Sequence, residues 1–256
     1  ADKLYLTNDV RAGRSVLHLM FTNATAFSRY MGGESISRAE QAVRLGTIHS
    51  FDRRGDILFM DDFENGVIKW GTILATGGST ATSDTTYARS GAKCLKMLTG
   101  ATTGDSIMLG WYGAYPVLSK TGFEVSFTSA STEYIFYLYS IVHDGSNKYQ
   151  AQVLCDLPNA RLAYVNSVGA TTKIATLSLY AALGLWNPFK LVIDPTQKHH
   201  SRIILGNTEY ALSAQPLYSE ASALAPHLEM RILLETGGNA AKTVYVDDAI
   251  VTQNEP

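Results

Sequence analysis

Three acids, Asp61, Asp62 and Glu64, stand close together in the stretch SFDRRGDILFMDDFENGVIKW, residues 50–70, which holds eight charged side chains in twenty-one positions. Carboxylates at this density could bind a metal ion or catalyse a reaction. The same stretch contains the receptor-binding tripeptide Arg-Gly-Asp at residues 54–56, and it could also be a join between two structural parts. We favour the join, to which a metal ion could be added, because the tripeptide leads directly into a strand-like ILFM run and not into an exposed loop tip.

Two other acids could form a catalytic pair. A glycosidase needs two carboxyl groups about 5 to 10 Å apart in a cleft, and Glu124 and Glu133 flank adjacent strand-like segments. However, GFEVSFTS alternates Glu124 with apolar residues, which is typical of the solvent-facing side of a strand. The histidines at 199 and 200 fall in a predicted turn, and no Ser/His/Asp arrangement has its local signature. We therefore predict that the protein is not an enzyme and has no catalytic residues.

Aromatic side chains could instead bind a sugar. The run LGWYGAYP presents Trp111, Tyr112 and Tyr115 between glycines, and further tyrosines at 134, 137 and 139 follow on a nearby strand. Tyrosine combines an apolar ring with a hydroxyl group, which suits both sugar binding and protein interfaces. The alternative, which the pattern favours, is that these rings fill the core of the fold and its rims.

The composition of the 256 residues narrows the class of protein. Only 17% of the side chains are charged, and the 21 glycines and 14 tyrosines fit an extensively paired β protein. The net charge of −2 gives no basis for nucleic acid or an anionic membrane as a partner. No apolar run is long enough to span a membrane, which predicts a soluble chain. Cys94 and Cys155 lie in strand-like runs, where we expect buried free thiols and not a disulfide.

The first 55 residues differ in composition from the rest of the chain. Their apolar residues come in short separate patches that cannot form a core of their own, so we predict an extended N-terminal arm, residues 1–55, that docks on another surface. The run SISRAEQAVRLG predicts its one short helix, with serine caps at the start and a glycine after the last turn. Arginine forms bidentate contacts at interfaces, and seven of the eleven arginines of the chain lie here. They are Arg11, Arg14, Arg29, Arg38, Arg44, Arg53 and Arg54.

From about residue 57 the hydrophobic pattern changes to a period of two. About a dozen short apolar or alternating runs are separated by Gly, Asn, Asp, Ser and Pro clusters such as TGGSTATSD and HDGSNK. Regular strand spacing without intervening helices predicts an all-β protein, in which residues 56–256 form a jelly-roll β-sandwich. The run EYIFYLYSIV is apolar on both faces, so we expect it to be central in its sheet.

Several motifs of this region resemble those of jelly-roll modules of the concanavalin-like and carbohydrate-binding type. DDFENGVIKW followed by ARSGAKCLKM is similar to the opening of such modules, and TVYVDDAIVT is similar to their last strand, which lies beside the first. The resemblance implies one structural calcium ion between the first and last strands. Its ligands here would be Asp62, Glu64, Asp247 and Asp248, with loop carbonyls near residue 90. The alternative is that these acids face solvent and pair with Arg89 or Lys93.

The opening of the chain also resembles structural proteins of tailed bacteriophages, in which a helix ending in RLG and a FDRRGD segment precede a DDFE strand. This resemblance implies a virion structural protein, either capsid decoration or tail-associated, that docks by its arm on copies of itself and on a major capsid or tail protein. The localisation would then be the virion. The alternative function is an extracellular carbohydrate-binding module that binds a surface polysaccharide.

Overall fold

The computed structural model describes residues 54–114, 118–213 and 215–256. These residues belong to one compact unit, and residues 1–53 lie outside the described residues. The predicted helix and all but the end of the predicted arm therefore fall outside the described residues, and the domain boundary at residue 55 stays a prediction. Within the described ranges, no helix has the length and apolar character needed to cross a membrane.

Eight of the described strands form an antiparallel sheet that we call sheet A. They are β1 (Asp56–Asp61), β3 (Thr80–Asp84), β4 (Cys94–Leu98), β6 (Thr121–Thr128), β11 (Asn187–Asp194), β12 (His199–Leu205), β13 (Thr208–Ala211) and β16 (Thr243–Gln253). Their order across the sheet is β13-β12-β11-β6-β16-β4-β3, and β1 also pairs with β16. The first described strand therefore lies beside the last, as the motifs predict.

The other eight described strands form a second antiparallel sheet, sheet B. They are β2 (Gly71–Ala75), β5 (Ser106–Gly113), β7 (Tyr134–His143), β8 (Asn147–Asp156), β9 (Arg161–Val165), β10 (Thr171–Thr176), β14 (Tyr218–Ala221) and β15 (His227–Thr236). Their order is β10-β9-β8-β7-β15-β5-β2, with β14 paired to β8. Strand β7, which contains most of EYIFYLYSIV, lies between β8 and β15, which confirms its predicted central place.

The two sheets pack face to face around one hydrophobic core, which confirms the predicted all-β sandwich. Alternate residues of each strand enter this core because successive side chains point to opposite faces of a sheet. Phe127 of sheet A and Phe136 of sheet B meet there with ring centroids 4.5 Å apart. Cys94 and Cys155 are both buried and unpaired, as predicted.

Two segments predicted as turns are strands. TGGSTATSD contains β3, whose small polar residues are tolerated because β3 is the edge strand beside β4 and is largely exposed. The histidines at 199 and 200 begin β12. Both errors have the same cause, since these segments become strands by pairing with a neighbouring strand, β4 for β3 and β11 for β12, and need no strong apolar pattern of their own.

Candidate functional site

The outer face of sheet B, which points away from the core, aligns polar and aromatic side chains in cross-strand rows. In the first row, Glu229 of β15 lies opposite Tyr112 of β5 on one side and Ile141 of β7 on the other, and Ile141 lies opposite Gln150 of β8. In the second row, Arg231 lies opposite Tyr139, which lies opposite Gln152. We call the polar and aromatic members of these rows the sheet B polar face, namely Tyr112, Glu229, Gln150, Arg231, Tyr139 and Gln152.

The sheet B polar face offers one open aromatic ring beside fixed polar groups. Tyr112 is 57% exposed, and its pKa is raised by burial and by the neighbouring Glu229 carboxylate, so the phenol stays neutral at neutral pH. Glu229 itself is buried, and its Oε1 accepts a hydrogen bond from Arg231 Nε at 2.6 Å. Gln150 and Gln152 are half-buried on β8, where Gln150 Nε2 lies 3.5 Å from Gln152 Oε1.

An apolar cluster borders the polar face on the same side of the sheet. Its buried members include Met108, Tyr137, Leu154 and Leu233, which form the next row across β5, β15, β7 and β8. Because these side chains are buried, they fix the border of the polar face and present little apolar surface to a ligand.

The structure does not bring the predicted sugar platform together on one surface. Trp111 and Tyr112 are neighbours on β5 and therefore point to opposite faces. Trp111 stacks on Phe59 with ring centroids 4.6 Å apart and packs against the core. Tyr115 lies outside the described residues. Of the three predicted residues, Tyr112 is the one that the structure places on the polar face.

Asp61 has a structural position at the end of β1. The side chain is buried, and its Oδ2 accepts a hydrogen bond from the Trp70 indole Nε1 at 2.8 Å. Its Oδ1 lies 2.8 Å from Lys69 Nζ. These two contacts use both oxygens of the carboxylate and hold the turn after β1 against the core.

Three of the four predicted calcium ligands, Asp247, Asp248 and Glu64, contact the loop at residues 89–93, and Asp62 accepts a hydrogen bond from the backbone N–H of Glu64. Asp247 Oδ2 accepts hydrogen bonds from two backbone N–H groups of this loop, and Asp248 contacts both Arg89 Nη1 and Ser90 Oγ. Glu64 Oε1 accepts from two further backbone N–H groups, those of Ala92 and Lys93. The predicted pairing of these acids with Arg89 is therefore present for Asp248, at 3.2 Å.

Alternation along a first strand that continued to residue 64 would place Asp62 and Glu64 on one side of it, and that prediction is wrong. Strand β1 ends at Asp61, and Phe63 has a positive φ of 55°. Asp62 and Glu64 therefore lie in a turn and not along one side of a strand.

The four predicted ligands have the donor atoms that a calcium ion needs. All four side chains supply oxygen, which is the ligand that calcium prefers. Two of them, Asp247 and Asp248, are buried side by side at a bulge in β16, where its neighbouring strand changes from β4 to β1. Burial and the neighbouring Asp248 raise the pKa of Asp247 to about 8. The calcium ion itself stays a prediction.

Glu124 and Glu133, the two acids considered for catalysis, have different surroundings. The prediction that Glu124 faces solvent is wrong, because it is 3% exposed and lies 3.9 Å from Lys190 Nζ. Glu133 is 62% exposed and binds Lys242 Nζ at 2.6 Å. Each carboxylate therefore has its own cationic partner in the fold.

The end of the predicted arm contacts the sandwich. Arg54 Nη2 lies 2.6 Å from Glu209 Oε2, and Asp56 Oδ2 accepts a hydrogen bond from Asn254 Nδ2 at 2.7 Å. Asp56 is also the first residue of β1. Residues 54–56 are thus not an exposed loop tip. The other six arginines of the predicted arm lie outside the described residues.

Sequence reasoning missed Arg231, Gln150 and Gln152. One signal was present, since HLEMRILLE alternates polar and apolar residues and so indicates a strand with one polar face. The pairing of that strand with β5 and β7 was not visible, because the partners lie more than 80 residues away along the chain.

Comparisons with known proteins agree with the fold. No protein-family model matches the sequence, and no curated protein sequence matches it significantly. Among solved structures, the chain is similar to the endo-β-1,4-glucuronan lyase of the fungus Trichoderma reesei, with a TM-score of 0.53 and 14% identity over 77% of this chain and 96% of that one. It is also similar to the cellulose-induced protein Cip1, with a TM-score of 0.50 and 18% identity over 76% and 96%.

A third similar structure is described as a set of carbohydrate-binding modules of the β-sandwich superfamily, with a TM-score of 0.44 and 15% identity over 79% of this chain and 64% of that one. At these identities the likeness to the first two structures shows the fold alone, a β-sandwich of two antiparallel sheets.

Proposed function

We propose that the β-sandwich binds carbohydrate with the sheet B polar face. The observation that carries this proposal is the register that sets the exposed ring of Tyr112 in one cross-strand row with Gln150, next to the row that contains Arg231 and Gln152. A sugar presents apolar C–H faces and hydroxyl groups that both donate and accept hydrogen bonds. An aromatic ring complements the first, and glutamine amides, which carry a donor and an acceptor each, complement the second.

The similar structures support this proposal at the level of the fold. The glucuronan lyase, by its description, acts on a carbohydrate polymer, and it shares the two-sheet architecture. The sequence motifs DDFENGVIKW and TVYVDDAIVT already resemble those of carbohydrate-binding modules. We propose binding and not catalysis, in keeping with the prediction of a non-enzymatic protein.

Oligosaccharide binding by the full chain tests the proposal. An array of neutral and uronic-acid oligosaccharides identifies a ligand, and titration calorimetry then compares variants. We expect Tyr112→Ala to weaken binding about tenfold, which corresponds to about 1.4 kcal/mol, within the range for an aromatic contact. Gln152→Ala should weaken binding about threefold or more through the loss of hydrogen bonds.

The matched control is Tyr180→Ala. Tyr180 is 66% exposed and lies in the loop after β10, outside the polar face. Its removal should change neither binding nor the melting temperature. Wild-type affinity in Tyr112→Ala and Gln152→Ala would contradict the proposal.

The other predicted role is that of a virion protein that docks by its arm. Its support is the sequence resemblance alone, since the arm lies outside the described residues. The capsid or tail partner, the self-association and the virion or extracellular localisation therefore stay predictions. Deleting residues 1–50 should leave a folded sandwich that no longer assembles, whereas unfolding of the truncated chain would show that the arm belongs to the domain.

A further inference from the structure

Three metal-ligating side chains meet on the outer face of sheet B, next to the polar face. His143 ends β7 and lies directly opposite His227, the first residue of β15, and Glu229 follows two residues later on the same face. One ligand atom from each of the three lies within 4.8 Å of the other two. His143 and Glu229 are buried, and His227 is half-buried.

Each of the three side chains is held by a further partner that leaves one ligand atom available. His227 Nδ1 lies 2.7 Å from the carbonyl oxygen of Ala225, so Nδ1 donates its proton and Nε2 keeps the lone pair. His143 Nδ1 lies 3.0 Å from Ser222 Oγ. Glu229 Oε1 accepts from Arg231, the Tyr112 hydroxyl group also interacts with this carboxylate, and Oε2 lies 4.0 Å from His143 Nε2. Such outer hydrogen bonds are typical of metal-binding histidines and carboxylates, because they fix the tautomer and the ring orientation.

An ordinary ion pair explains this arrangement less well. His143 Nε2 and Glu229 Oε2 are 4.0 Å apart, which is too long for a hydrogen bond. The charge of Glu229 is already matched by Arg231 at 2.6 Å. The two imidazole rings are stacked, with an interplanar angle of 6° and centroids 4.3 Å apart, an arrangement that two protonated rings would disfavour. Because the lone pair of an imidazole lies in the plane of its ring, one ring must turn for both lone pairs to point at one ion.

We propose that His143, His227 and Glu229 bind a divalent transition-metal ion of the zinc type. Two imidazole nitrogens and one carboxylate oxygen are a ligand set for zinc, and three protein ligands leave a fourth position open. Tyr112 borders these ligands, with its ring centroid 6.1 Å from that of His227. The site differs in chemistry from the predicted calcium site, whose ligands are all oxygens. It also does not depend on the carbohydrate proposal.

Zinc titration of the tag-free, chelator-stripped full chain tests this proposal in the absence of any sugar. We expect one Zn²⁺ per chain at micromolar or lower free zinc. His227→Gln and Glu229→Gln should each weaken this binding at least tenfold, and Ser222→Ala, which removes an outer partner, about tenfold. Ca²⁺ at millimolar concentration should not compete, because calcium binds imidazole poorly.

The matched control is His199→Gln, which removes a histidine of sheet A whose Nδ1 lies 3.1 Å from the Ser213 carbonyl oxygen. It should leave zinc affinity unchanged. Circular dichroism melting of each variant without metal confirms that it is folded, and because His227 is half-buried its variant keeps the test valid even if Glu229→Gln unfolds. Absence of zinc binding in the wild type, or wild-type affinity in folded His227→Gln, would overturn the proposal.

Discussion

The two outer faces of the sandwich use their charged residues differently. On sheet A, Lys190 is 2% exposed and its Nζ lies 2.7 Å from Glu255 Oε1, and Arg202 binds the other oxygen of the same carboxylate. On sheet B, Tyr112 is open to solvent, and His227 and Arg231 are only half-buried. Loss of one partner from a buried ion pair destabilises the fold, whereas polar groups that remain accessible on a face can contact a ligand.

Breaking the ion pairs of sheet A should have the largest effect on stability. Lys190→Met leaves Glu255 and Glu124 buried with less compensating charge, so we expect a loss of about 3 to 5 kcal/mol in the free energy of unfolding. Urea denaturation measures it. The control is Lys242→Met, which removes the partner of the exposed Glu133 and should cost under about 1 kcal/mol. Equal costs for the two variants would contradict the distinction between the faces.

A buried histidine of sheet A leads to a second prediction, which concerns the pH dependence of stability. His200 is fully buried against Tyr164, and burial lowers its pKa from 6.5 to about 4. The unfolded chain therefore binds the proton more readily, so stability is full above about pH 6.5 and falls as the pH drops toward 4, by up to about 3 kcal/mol.

His200→Gln removes this titration. Urea denaturation at pH 7.5 and 4.5 should show a smaller loss of stability on acidification in the variant than in the wild type. Parallel losses in the two proteins would show that the histidine is not held neutral by the fold.

The predicted calcium ion would bind within sheet A, at the junction of β1, β4 and β16, and would stabilise the fold. A ligand at one hundred times its dissociation constant adds about 2.7 kcal/mol, which for a domain of this size raises the melting temperature by roughly 5 to 10 °C. Scanning calorimetry with Ca²⁺ and with a chelator measures the shift, and Asp62→Asn should reduce it. A melting temperature that the chelator does not change would contradict the calcium prediction.

The sequence predicts the sandwich better than it predicts either outer face, for a physical reason. Alternation along a strand is local, so the sandwich and the central place of β7 could be foreseen, whereas the pairing of the first and last strands was implied by the resemblance of their motifs. Burial of Glu124 could not be foreseen, because its partner Lys190 lies 66 positions away and belongs to a different strand. The sheet B polar face could not be foreseen either, because Tyr112 and Arg231 become neighbours only through the register of β5 with β15.

NMR chemical-shift mapping with a bound oligosaccharide tests directly whether the carbohydrate site lies on sheet B. A ligand from the array is titrated into the isotopically labelled full chain. We predict that the largest chemical-shift changes fall on β5, β7, β8 and β15, at Tyr112, Gln150, Gln152 and Arg231. Sheet A should serve as an internal control and show little change around Lys190. Changes confined to sheet A, or to the β1 and β16 junction, would contradict the assignment of the carbohydrate site to sheet B.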